Sequence, residues 1–184
     1  PSRISFDIRE SSNTIPAVNT SSVNLLWQTD DRSNFFVARI KVKYFENVDG
    51  VNHERWVELP SRLVNNGEDQ IPIYPVPSKM FGVSFNRGAI DFAMRNISEN
   101  NPDKNAFTVS SKAVIEVLSL DENISRYYSS SLEDNNYTVR VNETDYSNVE
   151  GGFGVFGSLY NSSMKITLLP DYIESFGYKV LFEN

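Results

Sequence analysis

The sequence predicts an all-β domain, an antiparallel β-sandwich carrying one short α-helix at about residues 120–132. Three observations carry this expectation. Most hydrophobic segments alternate apolar and polar residues, the pattern of a strand with one buried and one wet face. Turn chemistry recurs between them, as at Asp49-Gly50, Asn86-Arg87-Gly88 and the polar run NISENNPDKN. A single stretch, after Leu120, spaces its apolar residues at helical intervals.

The elements follow in order. Val23, Leu25 and Trp27 alternate in SSVNLLWQ, which places Trp27 in the core. Phe36, Ala38, Ile40, Val42 and Tyr44 alternate in the next strand, with Arg39, Lys41 and Lys43 on its opposite face. A tryptophan strand followed by a tyrosine-ended strand resembles the second and third strands of fibronectin type III and immunoglobulin-like sandwiches. Asp49-Gly50 supplies a hairpin turn within NVDGVNHE, leading into RWVELPS. Pro72, Pro75 and Pro77 each lack an amide donor, so IPIYPVP is an edge strand or an extended crossover that protects a sheet edge.

MFGVSF and AIDFAMR read as a hairpin around Asn86-Arg87-Gly88, and FTVSSKAVIEVLSL as one long or broken strand. Ser119 and Glu122 have capping-box spacing before Leu120, Ile124, Tyr127, Tyr128 and Leu132, which recur as one helical face. That face docks the helix on the sheet, or Tyr127 and Tyr128 form a stacking platform for a ligand. YTVRV, FGVFGSLY, MKITLL and YKVLF complete about ten strands, with a helical turn in LPDYIESF.

A chain of 184 residues with 40% hydrophobic and 22% charged residues supports one domain spanning 1–184. The net charge of −7 leaves no basic stripe to neutralise phosphates, which excludes nucleic acid as an expected partner. No run of about 18 apolar residues supplies a transmembrane helix. Without cysteine there is no disulfide or thiolate chemistry, and one histidine does not build a multi-histidine metal site. Asn19, Asn96, Asn123, Asn136, Asn142 and Asn161 stand in glycosylation sequons, which an Asn- and Ser-rich chain also produces by chance.

Candidate chemistry is sparse. Gly152, Gly154 and Gly157 have dinucleotide-loop spacing, but alternating rather than helical residues follow, and Ser158 stands where a phosphate loop needs lysine. The glycines then serve positive φ, a bulge or close chain approach over a strand burying Phe153, Val155 or Phe156, and Gly151 or Gly152 resists replacement by alanine for reasons of folding. His53 sits in a turn-rich segment with no activated serine suggested beside it. Paired carboxylates suffice for glycoside hydrolysis, and Asp30, Asp31, Asp49 and Glu54 in expected turns, with Asp91 and Glu116 on expected strands, are the candidates. Asn47, Asp49, Asn52 and Glu54 offer oxygens, but Gly50 breaks the calcium-loop spacing. Trp56 and Tyr74 are the residues that would stack on a ligand at the proline-rich edge. No cofactor is expected.

Residues 148–158 read NVEGGFGVFGS, preceded by the apolar run at 113–120 and ENISRYYSSSLED. This order resembles a family of uncharacterised envelope lipoproteins of the Bacteroidota, a domain of unknown function often found beside TonB-dependent receptors. Asn148, Glu150, Gly151, Gly152, Gly154, Phe156 and Gly157 carry the resemblance. It implies the C-terminal part of a longer lipoprotein whose anchor cysteine lies upstream of Pro1, held at the outer membrane or cell surface. It brings no catalytic activity with it. The expected function is a non-catalytic binding module, accessory to a TonB-dependent nutrient receptor or contacting a glycan. A carboxylate glycan hydrolase and a structural or adhesion module are the alternatives.

Overall fold

The computed structural model describes residues 5–9, 14–15, 21–29, 35–67, 69–132, 147–152 and 154–183. In chain order their elements are β1 (Ser5–Arg9), β2 (Thr14–Ile15), β3 (Ser22–Gln28), β4 (Phe35–Val48), β5 (Val51–Glu58), β6 (Arg62–Asn66), β7 (Asp69–Ile73), β8 (Gly82–Asn86), α1 (Arg87–Asn96), β9 (Phe107–Leu120), α2 (Glu122–Leu132), β10 (Leu159–Leu168), α3 (Pro170–Ser175) and β11 (Lys179–Leu181). The fold is all-β and its sheets are mainly antiparallel. One sheet orders its strands β2-β10-β9-β4-β5, with β11 also beside β9; a second is β1-β3-β8; β6 and β7 form a separate ribbon. Only the β10–β2 and β11–β9 pairings are parallel among the described residues.

The core lies between the two larger sheets because alternation sends one face of each inward. Ile40 and Val42 of β4 and Ala113, Ile115 and Val117 of β9 meet Leu25 and Trp27 of β3 and Phe85 of β8. The Trp27 and Phe36 rings stand 6.1 Å apart. As expected, Trp27 is core, and β9 is one long strand. It runs between β4 on one side and, on the other, β10 opposite Lys112–Leu120 and β11 opposite Thr108–Ser110. Where the neighbours change over, the β4–β9 register shifts between Val42 and Tyr44. Glu183 ties the end of the chain to this point, with its carboxylate 2.6 Å from Lys43 Nζ and 3.5 Å from Lys165 Nζ, and its backbone N–H donating to Ser111 Oγ at 3.2 Å.

The β4–β5 hairpin turns on two residues. Asp49 (φ 53°) and Gly50 (φ 84°) both adopt positive φ, matching the twist of the flanking strands. β7 carries Pro72 and, among the described residues, pairs only with β6. Beyond Pro77, Ser78 exchanges two backbone hydrogen bonds with Phe36, at 2.8 and 2.9 Å, covering the part of the β4 edge that β5 does not reach. Edge and crossover thus occur in succession within IPIYPVP.

Two expectations on secondary structure are corrected. AIDFAMR is not the second strand of a hairpin: α1 follows β8 directly, because Ala89, Ile90, Ala93 and Met94 lie on one helical face and are buried. The chain therefore has helices besides α2, with α3 occupying the expected helical turn and buried through Tyr172 and Ile173. The Tyr172 hydroxyl donates to Asp91 Oδ1 at 2.5 Å, joining α3 to α1. Residues 154–158 of FGVFGS are not strand either, since β10 begins at Leu159, and Phe153 lies outside the described residues. YTVRV lies outside the described residues.

Candidate functional site

The paired strands β3 and β8 set Asn24 opposite Ser84 and Leu26 opposite Gly82, on the face turned away from the core. A shallow groove of about 660 Å³ runs there, lined by these four residues with Met80, Phe81 and Val83. Gly82 shapes it. A Cβ at this position would stand 2.4 Å from Leu26 Cδ2, so the glycine lets Leu26 lie across β8. Phe81 packs against Phe36 at a centroid distance of 5.6 Å, and its carbonyl accepts from the Trp27 amide at 3.0 Å, which fixes the groove wall to the core. Met80 is 67% exposed. No lining residue has an ionisable side chain, so the groove offers apolar contact plus the amide of Asn24 and the hydroxyl of Ser84. Sequence reasoning placed Leu25 and Trp27 in the core but missed the opposite face of the same strand.

The two ring candidates lie elsewhere on the surface. Trp56, on β5 opposite Lys43, is half exposed, and its indole N–H donates to Glu54 Oε1 at 3.1 Å. Tyr74 is also substantially exposed; burial of its remaining surface raises its hydroxyl pKa, and the Glu58 carboxylate raises it further. Glu58 shares a face of β5 with Trp56, so one carboxylate lies near both candidates. Tyr127 of α2 is partly buried, and the side chain of Tyr128 lies outside the described residues.

The acidic candidates sit on separate elements. Asp30 and Asp31 lie outside the described residues, and Asp49 occupies the hairpin turn. Glu54 is on a strand rather than in a turn. Asp91 is on a helix rather than a strand, 3.9 Å from Arg87 Nε and bonded to Tyr172. Glu116 is on β9 as expected, 2.7 Å from Lys41 Nζ. His53 lies on β5 opposite Glu46 and is exposed. Asn47 Oδ1 accepts from the Gly50 amide and Asn47 Nδ2 donates to Asn52 Oδ1, so the oxygens of that loop serve the turn. Among the described residues no three His, Asp or Glu side chains are placed to hold a metal ion.

The glycine segment is a loop held by side chains. The Ser147 hydroxyl reaches the carbonyls of Gly152 and Gly154 at 3.1 and 3.0 Å. Asn148 accepts from the Phe156 amide at 2.7 Å and donates to the Phe156 carbonyl at 2.6 Å. Phe156 is 81% exposed, so it is not the buried member of the expected three; Val155 is partly buried, and Phe153 lies outside the described residues. Gly151 (φ 74°) and Gly154 (φ 136°) meet the expected need for positive φ. Gly152 does not, having only Val149 Cγ1 at 3.4 Å from an added Cβ. The close approach falls at Gly157, where a Cβ would stand 2.4 Å from Ile124 Cγ1 and 2.8 Å from Asp121 Oδ1.

Asp121, which the sequence reasoning passed over, joins this loop to α2. Its Oδ1 accepts from the Ile124 amide at 2.9 Å, and its Oδ2 accepts from the amide and hydroxyl of Ser158. Burial pushes its carboxyl pKa up, but the donors from Ile124, Ser158 and Asn123 outweigh this and hold it below the usual aspartate range. Ser119 is instead buried in β9, so the helix cap is Asp121 and not the expected Ser119. The signal was an aspartate directly before the helical run.

No family model matches the chain, and no curated protein or solved structure matches it significantly.

Proposed function

We propose that this protein is a non-catalytic binding module that takes a neutral, partly apolar ligand segment in the groove formed by β3 and β8. The observation that carries this reading is the lining itself. Leu26 and Met80 supply contact area, Asn24 and Ser84 supply orientation, and none of them transfers a proton at neutral pH. A neutral peptide stretch or a glycan with an apolar face suits such a surface.

The setting we propose is a bacterial outer-membrane lipoprotein acting beside a TonB-dependent receptor; this rests on the resemblance carried by Asn148, Glu150 and the glycines that follow. The test is recovery of partners from native outer membranes by the full-length anchored protein and its Met80→Glu variant. Loss of a receptor from the variant alone supports the reading. Equal recovery, or release of reducing sugar from a glycan by the purified protein, refutes it.

A further inference from the structure

We propose that residues 147–152 and 154–158 form a second recognition element, a preorganised apolar knob centred on Phe156 that docks into an apolar pocket rimmed by basic side chains on a protein partner. The proposal rests on the reading of the chain as a binding module, but it uses a surface distinct from the groove.

Exposure alone would mean little, since single exposed apolar residues are common. The distinguishing observation is how Phe156 is held. Asn148 satisfies both of its backbone groups as a paired strand would, at 2.7 and 2.6 Å, while its ring is 81% exposed. The next two residues are fixed as well, Gly157 against Ile124 and Ser158 on the Asp121 carboxylate. An aromatic ring on immobilised backbone loses little further entropy on docking, and aromatic side chains dominate binding energy when they fill pockets. Val149, Leu159 and Tyr160, near it along the chain, are also exposed.

Charge selects the rim of the partner. From Ser147 to Tyr160 the only charged residue is Glu150, and Asp121 beneath the loop is held ionised at neutral pH. Arg126, on the same helix as Ile124, is paired with Glu122. A basic rim complements this field, whereas an acidic surface or an anionic bilayer is repelled by it.

The experiment places the photocrosslinker p-benzoyl-phenylalanine at position 156 of the full-length protein in its native membrane and maps the crosslinked residues by mass spectrometry. Crosslinks to apolar protein residues with Lys or Arg beside them, reduced about tenfold or more by Glu150→Lys, are expected. Crosslinks to lipid, to another copy of this chain or to nothing overturn the proposal, as does insensitivity to Glu150→Lys. The groove reading is judged separately, because Met80→Glu leaves the crosslink at 156 intact. Phe156→Ala serves as the control for folding, with an expected urea midpoint equal to wild type.

Discussion

Replacing Gly157 by alanine puts a methyl group into a space already occupied. Its Cβ would stand 2.4 Å from Ile124 Cγ1, 2.8 Å from Asp121 Oδ1 and 3.0 Å from Ile124 Cδ1. Carbon atoms rest at about 3.5–4.0 Å, so Ile124 must retreat by roughly 1 Å. A β-branched helical side chain has one strongly preferred rotamer and does not swing aside freely. Overpacking of this kind costs about 1–3 kcal/mol, and pushing Asp121 away from the Ile124 amide forfeits a helix cap worth about 1 kcal/mol. The sum, about 2–4 kcal/mol, is read by urea unfolding of Gly157→Ala against Gly152→Ala, which meets only Val149 Cγ1 at 3.4 Å and should lie within about 0.5 kcal/mol of wild type. Should the strain be relieved by local undocking of the loop, the midpoint stays put and the Ile124 and Ser158 amides exchange faster. The reasoning fails if Gly157→Ala changes neither the midpoint nor the exchange relative to Gly152→Ala.

Other consequences are open to direct measurement. The folded-state pKa of Asp121 is lowered, so its stabilising effect is complete above the unfolded value near 3.9 and is lost as pH falls through the depressed folded value; the stability gap between wild type and Asp121→Asn should close on acidification from about pH 5 to about pH 2, and a constant gap would count against the hub. Gly50→Ala forces a side chain into φ 84° in open space and should lower stability by about 1 kcal/mol, seen as a shifted denaturation midpoint. Trp56→Phe should leave only the emission of buried Trp27, blue-shifted and poorly quenched by iodide, while Trp27→Phe should leave the opposite. Tyr172→Phe deletes the hydroxyl donated to Asp91 and should cost about 1.5–3 kcal/mol in thermal or urea unfolding.

The fold class was legible because alternation reports burial directly: β4 and β9 show it in sequence and bury the expected faces. The Asp49-Gly50 turn was legible for a similar reason, since few residue pairs tolerate two positive φ angles. AIDFAMR was misread because a short apolar segment fits period two and period 3.6 alike, and only tertiary burial of Ala89, Ile90, Ala93 and Met94 decides. The glycine loop stands out in the sequence, yet its geometry depends on contacts distant in sequence. Gly157 meets Ile124, and Ser158 meets Asp121, pairings that no local spacing encodes. The groove was invisible for the same reason: Leu26 and Gly82 become neighbours only once β3 and β8 pair.

The placement of β9 between β4, which precedes it, and β10 and β11, which follow it, bears on how the protein reaches its native state. On one side it waits for no one, because β4 precedes it, but closing that pair joins residues as remote as Phe36 and Ser119. On the other side its start is bordered by the parallel strand β11, which follows only after α2, β10 and α3. Pairings this remote defer their reward until large loops have closed, which belongs to the millisecond-to-second regime of refolding rather than the microsecond one. During synthesis, a chain halted after Leu168 would already present Thr108 to Ser110 with unpaired backbone groups. Such an edge templates association with another chain. Strand β11, with Glu183 held by its two lysines just after it, therefore covers a stretch of β9 that would otherwise stay open to a neighbour.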